Sequence, residues 1–574
     1  MRIHRRESAF SCPPVCGMLR YVTVKKISSL LMAIALLAAC AIYLPEDNAY
    51  TGHEEYDYYP QPYSNGDDLP SGDEDHYSQY DQDGEVAEPK PIFFPSGELT
   101  LENLLIIANQ RRQIVHEPDM ERIHSWLDAR EPITLNAAEL FSDQRRNELS
   151  REEAENDVRI LFTLLRHVYA AYHYFGGDDV FLPLLDSLLE DISGQEIWPS
   201  SCFVDLVRER LGDVIIDNHF VINGYSGDGI FNQPHHTFIW NTPFDRSNRG
   251  LYKRETGMYV TGVQGYEIDQ LFRLTMDEQG NVYYTPIVMR PILEGDHYSL
   301  YITFEHGVTQ RVTLTSTHYE RTHPRGAGSS LRHHNGIPIL DVRWMADSFN
   351  HYSHGHHTAL GLLAYADYLR DTPAFILDLR SNEGGASALS YTWLYRLLGE
   401  YVPPNFNWLS IFDAHIEIPP GVSRPASWYR GFTSRAGLYF VYPPELSERY
   451  LQRELIADNI FFTPPNAQDR VVANDQLVIV LIDRFTRSAG ETFADQFTNI
   501  ENTLVIGQNT AGSLLTSYGG ALYLPNSGVP VIMGRHMLVH PEGIWREGVG
   551  LAPDIWVIGD ALTAALALLD VLHP

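Results

Sequence analysis

The chain is 574 residues long, 44% of them hydrophobic, and it carries 42 Lys plus Arg against 74 Asp plus Glu, a formal net charge of −32. A body this acidic is a poor binder of nucleic acid, and of anionic lipid by charge. Its four cysteines, Cys12, Cys16, Cys40 and Cys202, contain no CxxC pair of the kind that holds a metal, and no metal or cofactor is expected.

Residues 1–39 read as a targeting segment. Lys25 and Lys26 precede the apolar run 27–39, which is too short to span a membrane comfortably and suits a signal-peptide core. Leu37-Ala38-Ala39-Cys40 resembles a bacterial lipobox. That resemblance implies cleavage before Cys40, a lipid on its sulfur, and an extracytoplasmic protein anchored to the bacterial cell membrane; no internal disulfide is then expected. Residues 40–95 follow as an acidic tether. Within 41–92 there are fourteen Asp or Glu, one Lys and eight Tyr, with no apolar periodicity, so this stretch cannot bury a core.

The remaining roughly 480 residues are enough for two to four domains. Residues 96–220 read as a helical domain. In 151–175 the residues Val158, Leu161, Leu164, Leu165, Val168 and Tyr169 recur at helical spacing behind an acidic first turn, and 180–192 and 202–211 read as further helices. Residues 221–330 change to β-branched and alternating runs at 257–263, 283–289, 298–304 and 310–314. From 331 to 574 strand-like runs (337–342, 374–379, 477–482, 503–506) alternate with helix-like ones (358–369, 386–398, 488–500), the pattern of an α/β domain. Leu477–Ile482 is apolar and β-branched, which predicts a strand buried on both faces. Ser488 then falls at a strand-to-helix turn, where helix N–H groups can face developing negative charge. The alternative at this point is a serine that only caps the helix.

Three stretches carry a family resemblance. Phe375–Gly385, FILDLRSNEGG, Asp483–Glu491, DRFTRSAGE, and Glu547–Ile555, EGVGLAPDI, resemble in order and spacing the tail-specific, or C-terminal processing, serine proteases, a family that includes tricorn protease. The resemblance implies a crotonase/ClpP-like β/α core behind an N-terminal helical bundle. It makes Ser488 the nucleophile and the N–H groups of Gly384 and Ala489 the oxyanion hole. Most members pair the serine with a lysine about 25 residues later; here that position is Ser513, and no lysine follows Lys253. Arginine cannot replace it, because it does not deprotonate in proteins.

The tricorn-like branch offers a serine–histidine–glutamate set instead. By that resemblance His219 in Asp217-Asn218-His219-Phe220 is the base, Glu547 orients it, and Asn218 stands where the branch has a bridging serine. His536 and His540 are rival bases, and the cluster His351, His354, His356 and His357 is a polar loop in preference to a metal site. The module at 221–330 stands where relatives carry a PDZ domain; its nearest approach to a carboxylate-binding loop is Arg254–Tyr259, and it is either a degenerate PDZ domain or an unrelated lid. The expected function is a membrane-tethered extracytoplasmic serine endopeptidase acting on peptide or protein substrates. The alternative is a non-catalytic, peptide-binding lipoprotein on the same fold.

Overall fold

The structure, a computed structural model, describes residues 99–570 apart from 113–132, 137–139, 141–144, 224–234, 292–296, 318–320, 322, 324–327, 346–358, 386, 401, 403, 406, 411–413, 418–459, 462–470, 518, 520 and 540–546. The signal, the tether with Cys40, the His351–His357 cluster and His540 therefore lie outside the described residues. No helix among the described residues is long and apolar enough to cross a membrane.

The architecture is mixed α/β, built on one large sheet. Its central strands run in the order Ile337–Asp341, Ala374–Asp378, Leu477–Ile482, Thr503–Gly507, Ile555–Val557 and Phe272–Met276, all pairing parallel. The first four bury both faces. Ile339, Ile376, Ile479, Leu481, Leu504 and Ile506 face one hydrophobic core, while Leu340, Leu377, Val478, Val480, Ile482 and Val505 face another. That is why these runs are apolar without alternation. The second core is closed by the helices Ala359–Leu369, Ala388–Leu398 and Ala489–Phe497, where Trp393 packs edge-on against Phe493 with ring centroids 5.3 Å apart.

The β-rich stretch joins this sheet directly. Phe272–Met276 pairs parallel with Ile555–Val557 and antiparallel with Val282–Pro291, and from there the order continues through His235–Ile239, Thr309–Ser316, His297–Phe304 and Val260–Val263. In the Arg254–Tyr259 segment the backbone is closed on itself. The N–H groups of Thr256 and Gly257 both donate to Lys253 O, and the Arg254 guanidinium is held by Asp245. These donors are already engaged, so the segment offers no row of open N–H groups for a carboxylate.

The expected helix at 151–175 ends sooner, as Arg151–His167. It starts on a capping box, in which Ser150 Oγ accepts from Glu153 N and the Glu153 carboxylate accepts from Ser150 N. It stops because Ala170 N donates to Gly534 O, outside the helix, and a turn ending in Gly176 and Gly177 at positive φ redirects the chain. Helices Asp178–Ser193 and Ser200–Gly212 follow. They share one core with Phe220 and with Leu522, Val531 and Met533 from the C-terminal region, so residues far apart in sequence are packed as a unit.

Candidate active site

The nucleophile segment is built by Asp483. Its carboxylate oxygen Oδ1 accepts the N–H groups of Phe485 (2.9 Å) and Thr486 (3.0 Å), which curls the chain after strand Leu477–Ile482. It also accepts Ser381 N at 2.9 Å, tying this turn to the glycine loop of the neighbouring strand. Ser488 emerges with φ 52° and ψ −122°, outside the regions that L residues favour. Such a conformation costs on the order of 1–3 kcal/mol and persists only where the surroundings impose it. A serine that merely capped a helix would sit in the extended region, as Ser150 does at φ −66°. Ala489 opens the following helix, so its N–H has no acceptor within that helix.

The glycine loop lies against this turn. Gly384 has φ +88°, and a Cβ there would sit 2.8 Å from Ser488 Cβ, so only glycine permits the approach. The Gly384 N–H, expected to face an oxyanion, donates to Asn382 Oδ1 at 2.8 Å in this structure. Asn382 is held in turn, its Nδ2 donating to Val342 O (2.9 Å) and its backbone oxygen accepting Arg487 N (2.9 Å).

Two buried carboxylates flank the 510–516 loop. Glu491, in the first turn of the nucleophile helix, accepts Ser488 N (2.9 Å) and Ser513 N (2.8 Å) on one oxygen, and Gly512 N (2.8 Å) and Thr510 Oγ1 (2.6 Å) on the other. Glu547 accepts Leu515 N (2.9 Å) and Leu514 N (3.2 Å) on Oε2, and Asn218 N (2.8 Å) on Oε1. Glu547 thus does reach Asn218, but through the backbone amide. The Asn218 side chain turns the other way, and its Nδ2 donates to Gly512 O at 3.1 Å. Ser513, at the family's lysine position, is 2% exposed, and its hydroxyl oxygen has no hydrogen-bond partner among the described residues.

His219 arrives on the same loop from the other side. Its turn is pinned by Phe220 N donating to Asp217 O and by strand Val221–Ile222 pairing with Pro530–Ile532. His219 Nδ1 lies 2.6 Å from the Thr516 carbonyl oxygen. A carbonyl only accepts, so Nδ1 carries the proton and Nε2 presents the lone pair of a base. Ser488 and His219 are therefore both bonded into the 510–516 loop, the first through Glu491 and the second through Thr516. The rival His536 sits with Nδ1 3.4 Å from Ser517 Oγ, and burial together with Arg535 pushes its pKa down to about 4.

Asp217, which the sequence reading passed over, is fully buried beneath the base. Its Oδ1 accepts His219 N (2.9 Å), and its Oδ2 accepts Tyr169 OH (2.7 Å) and Thr516 Oγ1 (2.8 Å). Burial, and then the Arg487 guanidinium, hold His219 below the ordinary imidazole range against the upward pull of Asp217 and Thr516 O. Burial and the nearby Asp217 charge push Glu547 well above the usual carboxylate range, although three N–H donors act the other way. Burial also pushes Glu491 up.

Residues 444–557, which hold Ser488, Glu491 and Glu547, match the model of peptidase family S41. That segment is similar to the S41 serine peptidases. Among solved structures, the chain is similar to mature CPAF at 14% identity and a TM-score of 0.36, over 73% of this chain and 96% of that one. It is also similar to the photosystem II D1 C-terminal processing protease, at 13% identity and 0.34, over 74% and 97%. The third is tricorn protease, at 12% identity and 0.27, over 74% of this chain and 37% of that one. No curated protein matches the sequence. The S41 match begins downstream of His219.

Proposed function

We propose that this chain is an endopeptidase of the bacterial envelope in which Ser488 attacks the peptide carbonyl, His219 is the base, and Glu547 holds the base in place. The observation that supports it most is the His219 tautomer. Nδ1–H is committed to the Thr516 carbonyl, Nε2 is left as the acceptor, and the loop doing this is the one that also anchors the Ser488 amide through Glu491.

In the reaction Ser488 Oγ bonds to the carbonyl carbon as its proton passes to Nε2. The tetrahedral intermediate collapses with cleavage of the C–N bond, and Nε2 returns the proton to the leaving amine. Water, deprotonated by Nε2, then releases the acyl group. Ala489 N–H points its donor to the oxyanion; Gly384 N–H joins it only by leaving Asn382 Oδ1. Glu547 works one step removed, through the Asn218 amide and the 514–515 backbone.

The same reading gives the chain a signal at 1–39, a lipid on Cys40, a spacer at 40–95, a helical domain at 96–220, a β-rich module at 221–330 and the protease core at 331–574. Metabolic labelling with a fatty-acid analogue tests the anchor: label lost in Cys40→Ala supports it, and label retained refutes it. The catalytic set is tested by hydrolysis of an unfolded protein substrate. Ser488→Ala and His219→Ala should each abolish turnover in a folded chain, and turnover retained by His219→Ala would overturn the choice of base.

A further inference from the structure

We propose that Asp217 is the positioning residue of the His219 base, a role that the Ser488–His219–Glu547 reading does not include and on which it builds. The geometry is a closed frame. One carboxylate oxygen receives the His219 amide, which fixes the backbone of the base, at 2.9 Å. The other receives the Thr516 hydroxyl at 2.8 Å. Thr516 is the residue whose carbonyl takes the imidazole Nδ1–H. Asp217 therefore grips both ends of the contact that selects the tautomer, from below and without touching the ring.

The buried Asp378 has two guanidinium groups on its two oxygens. Asp217 has instead three neutral donors, the third being Tyr169 OH just past the end of helix Arg151–His167. Its charge is left to act on what surrounds it. The charged and titratable groups facing this site are Arg487 from the nucleophile turn, Glu547 from the closing segment and Tyr169 from the helical side. Of these Arg487 opposes a positive imidazole, and Asp217 favours it. During acylation the imidazole becomes positive, so the carboxylate lowers the cost of that step as well as aiming the ring.

Asp217→Asn keeps the size and one acceptor but removes the charge. Expected is a fall in kcat of about 10- to 100-fold with KM within about twofold, since a general base is worth roughly 10²–10⁴-fold and is here weakened, not deleted. The acid limb of kcat/KM should move to lower pH, which a loss of packing alone would not do. Tyr169→Phe and Thr516→Val each remove one donor and keep the charge; they should lower kcat severalfold and leave KM alone. A folded Asp217→Asn enzyme with kcat and acid limb matching the parent overturns the proposal. Should that variant not fold, unchanged kcat in both Tyr169→Phe and Thr516→Val overturns it equally. His219→Ala run alongside separates the two ideas. If it keeps activity, the base itself is wrong; if it is dead while Asp217→Asn is normal, only the positioning role falls.

Discussion

Two networks of buried carboxylates lie at the same end of this sheet, and they are satisfied in opposite ways. At the ends of strands Ile337–Asp341 and Ala374–Asp378, Asp341 and Asp378 are met by Arg343 and Arg380, and Arg380 continues to Asp560. Around the 510–516 loop Glu491, Asp217 and Glu547 meet, among the described residues, N–H groups and hydroxyls. The electrostatic result differs in sign. Burial alone would raise Asp378, but Arg380 and Arg343 more than offset it and hold the carboxyl well below the usual range. Glu491 and Glu547 are pushed above it. The first network cancels its charge and fixes the glycine loop. The second meets its carboxyl groups with neutral donors, beside a base that must become a cation.

The contrast is sharpest in single substitutions. Asp378→Ala should strand two buried guanidinium groups and cost about 3–5 kcal/mol of stability, read by chemical denaturation. Glu547→Gln should do the reverse. It keeps an acceptor, so the fold should hold, but turnover should fall by roughly 10- to 100-fold because the amide group cannot accept three N–H bonds as a carboxylate does. Equal stability losses in the two variants would erase the distinction.

The pH dependence should differ in the same way. A group raised in the folded state binds its proton more tightly there, so Glu547 and Glu491 subtract stability as pH rises from about 4.5 through their folded values. Asp378 is lowered, so its contribution is present above the ordinary carboxylate range and is lost as pH falls below it. His219 is held low by burial and Arg487, so kcat/KM should persist below pH 6.5, the ordinary imidazole value, before its acid limb is reached. A limb above that value would contradict the neutral, buried base. The smallest effect is expected at Ser513→Ala, which removes a hydroxyl with no partner among the described residues. Turnover should stay within about twofold and stability within about 0.5 kcal/mol. A large loss would make the serine at the lysine position part of the chemistry.

Much of this was legible in the residues themselves. The run LVIVLI declared a strand with two buried faces, and the serine after it fell at the turn. The base side was harder to read. Asp217 lies two residues before His219, and an aspartate taking the N–H at i+2 is a short-range turn signal that could have singled it out. Its other partners, Tyr169 at 48 residues and Thr516 at 299, follow only from tertiary packing. The partner of the Gly384 amide was hidden for the same kind of reason. Glycine announces a turn, but the Asn382 side chain that captures the N–H is oriented by Val342 from another strand.

Everything above turns on whether Ser488 is activated by His219. The direct measurement is labelling of the purified full chain with a fluorophosphonate, the adduct being located by mass spectrometry, in the parent and in His219→Ala. Labelling at Ser488 that disappears in the variant is the predicted result. Labelling at Ser488 of equal rate in His219→Ala, or none in a well-folded parent, would contradict the account.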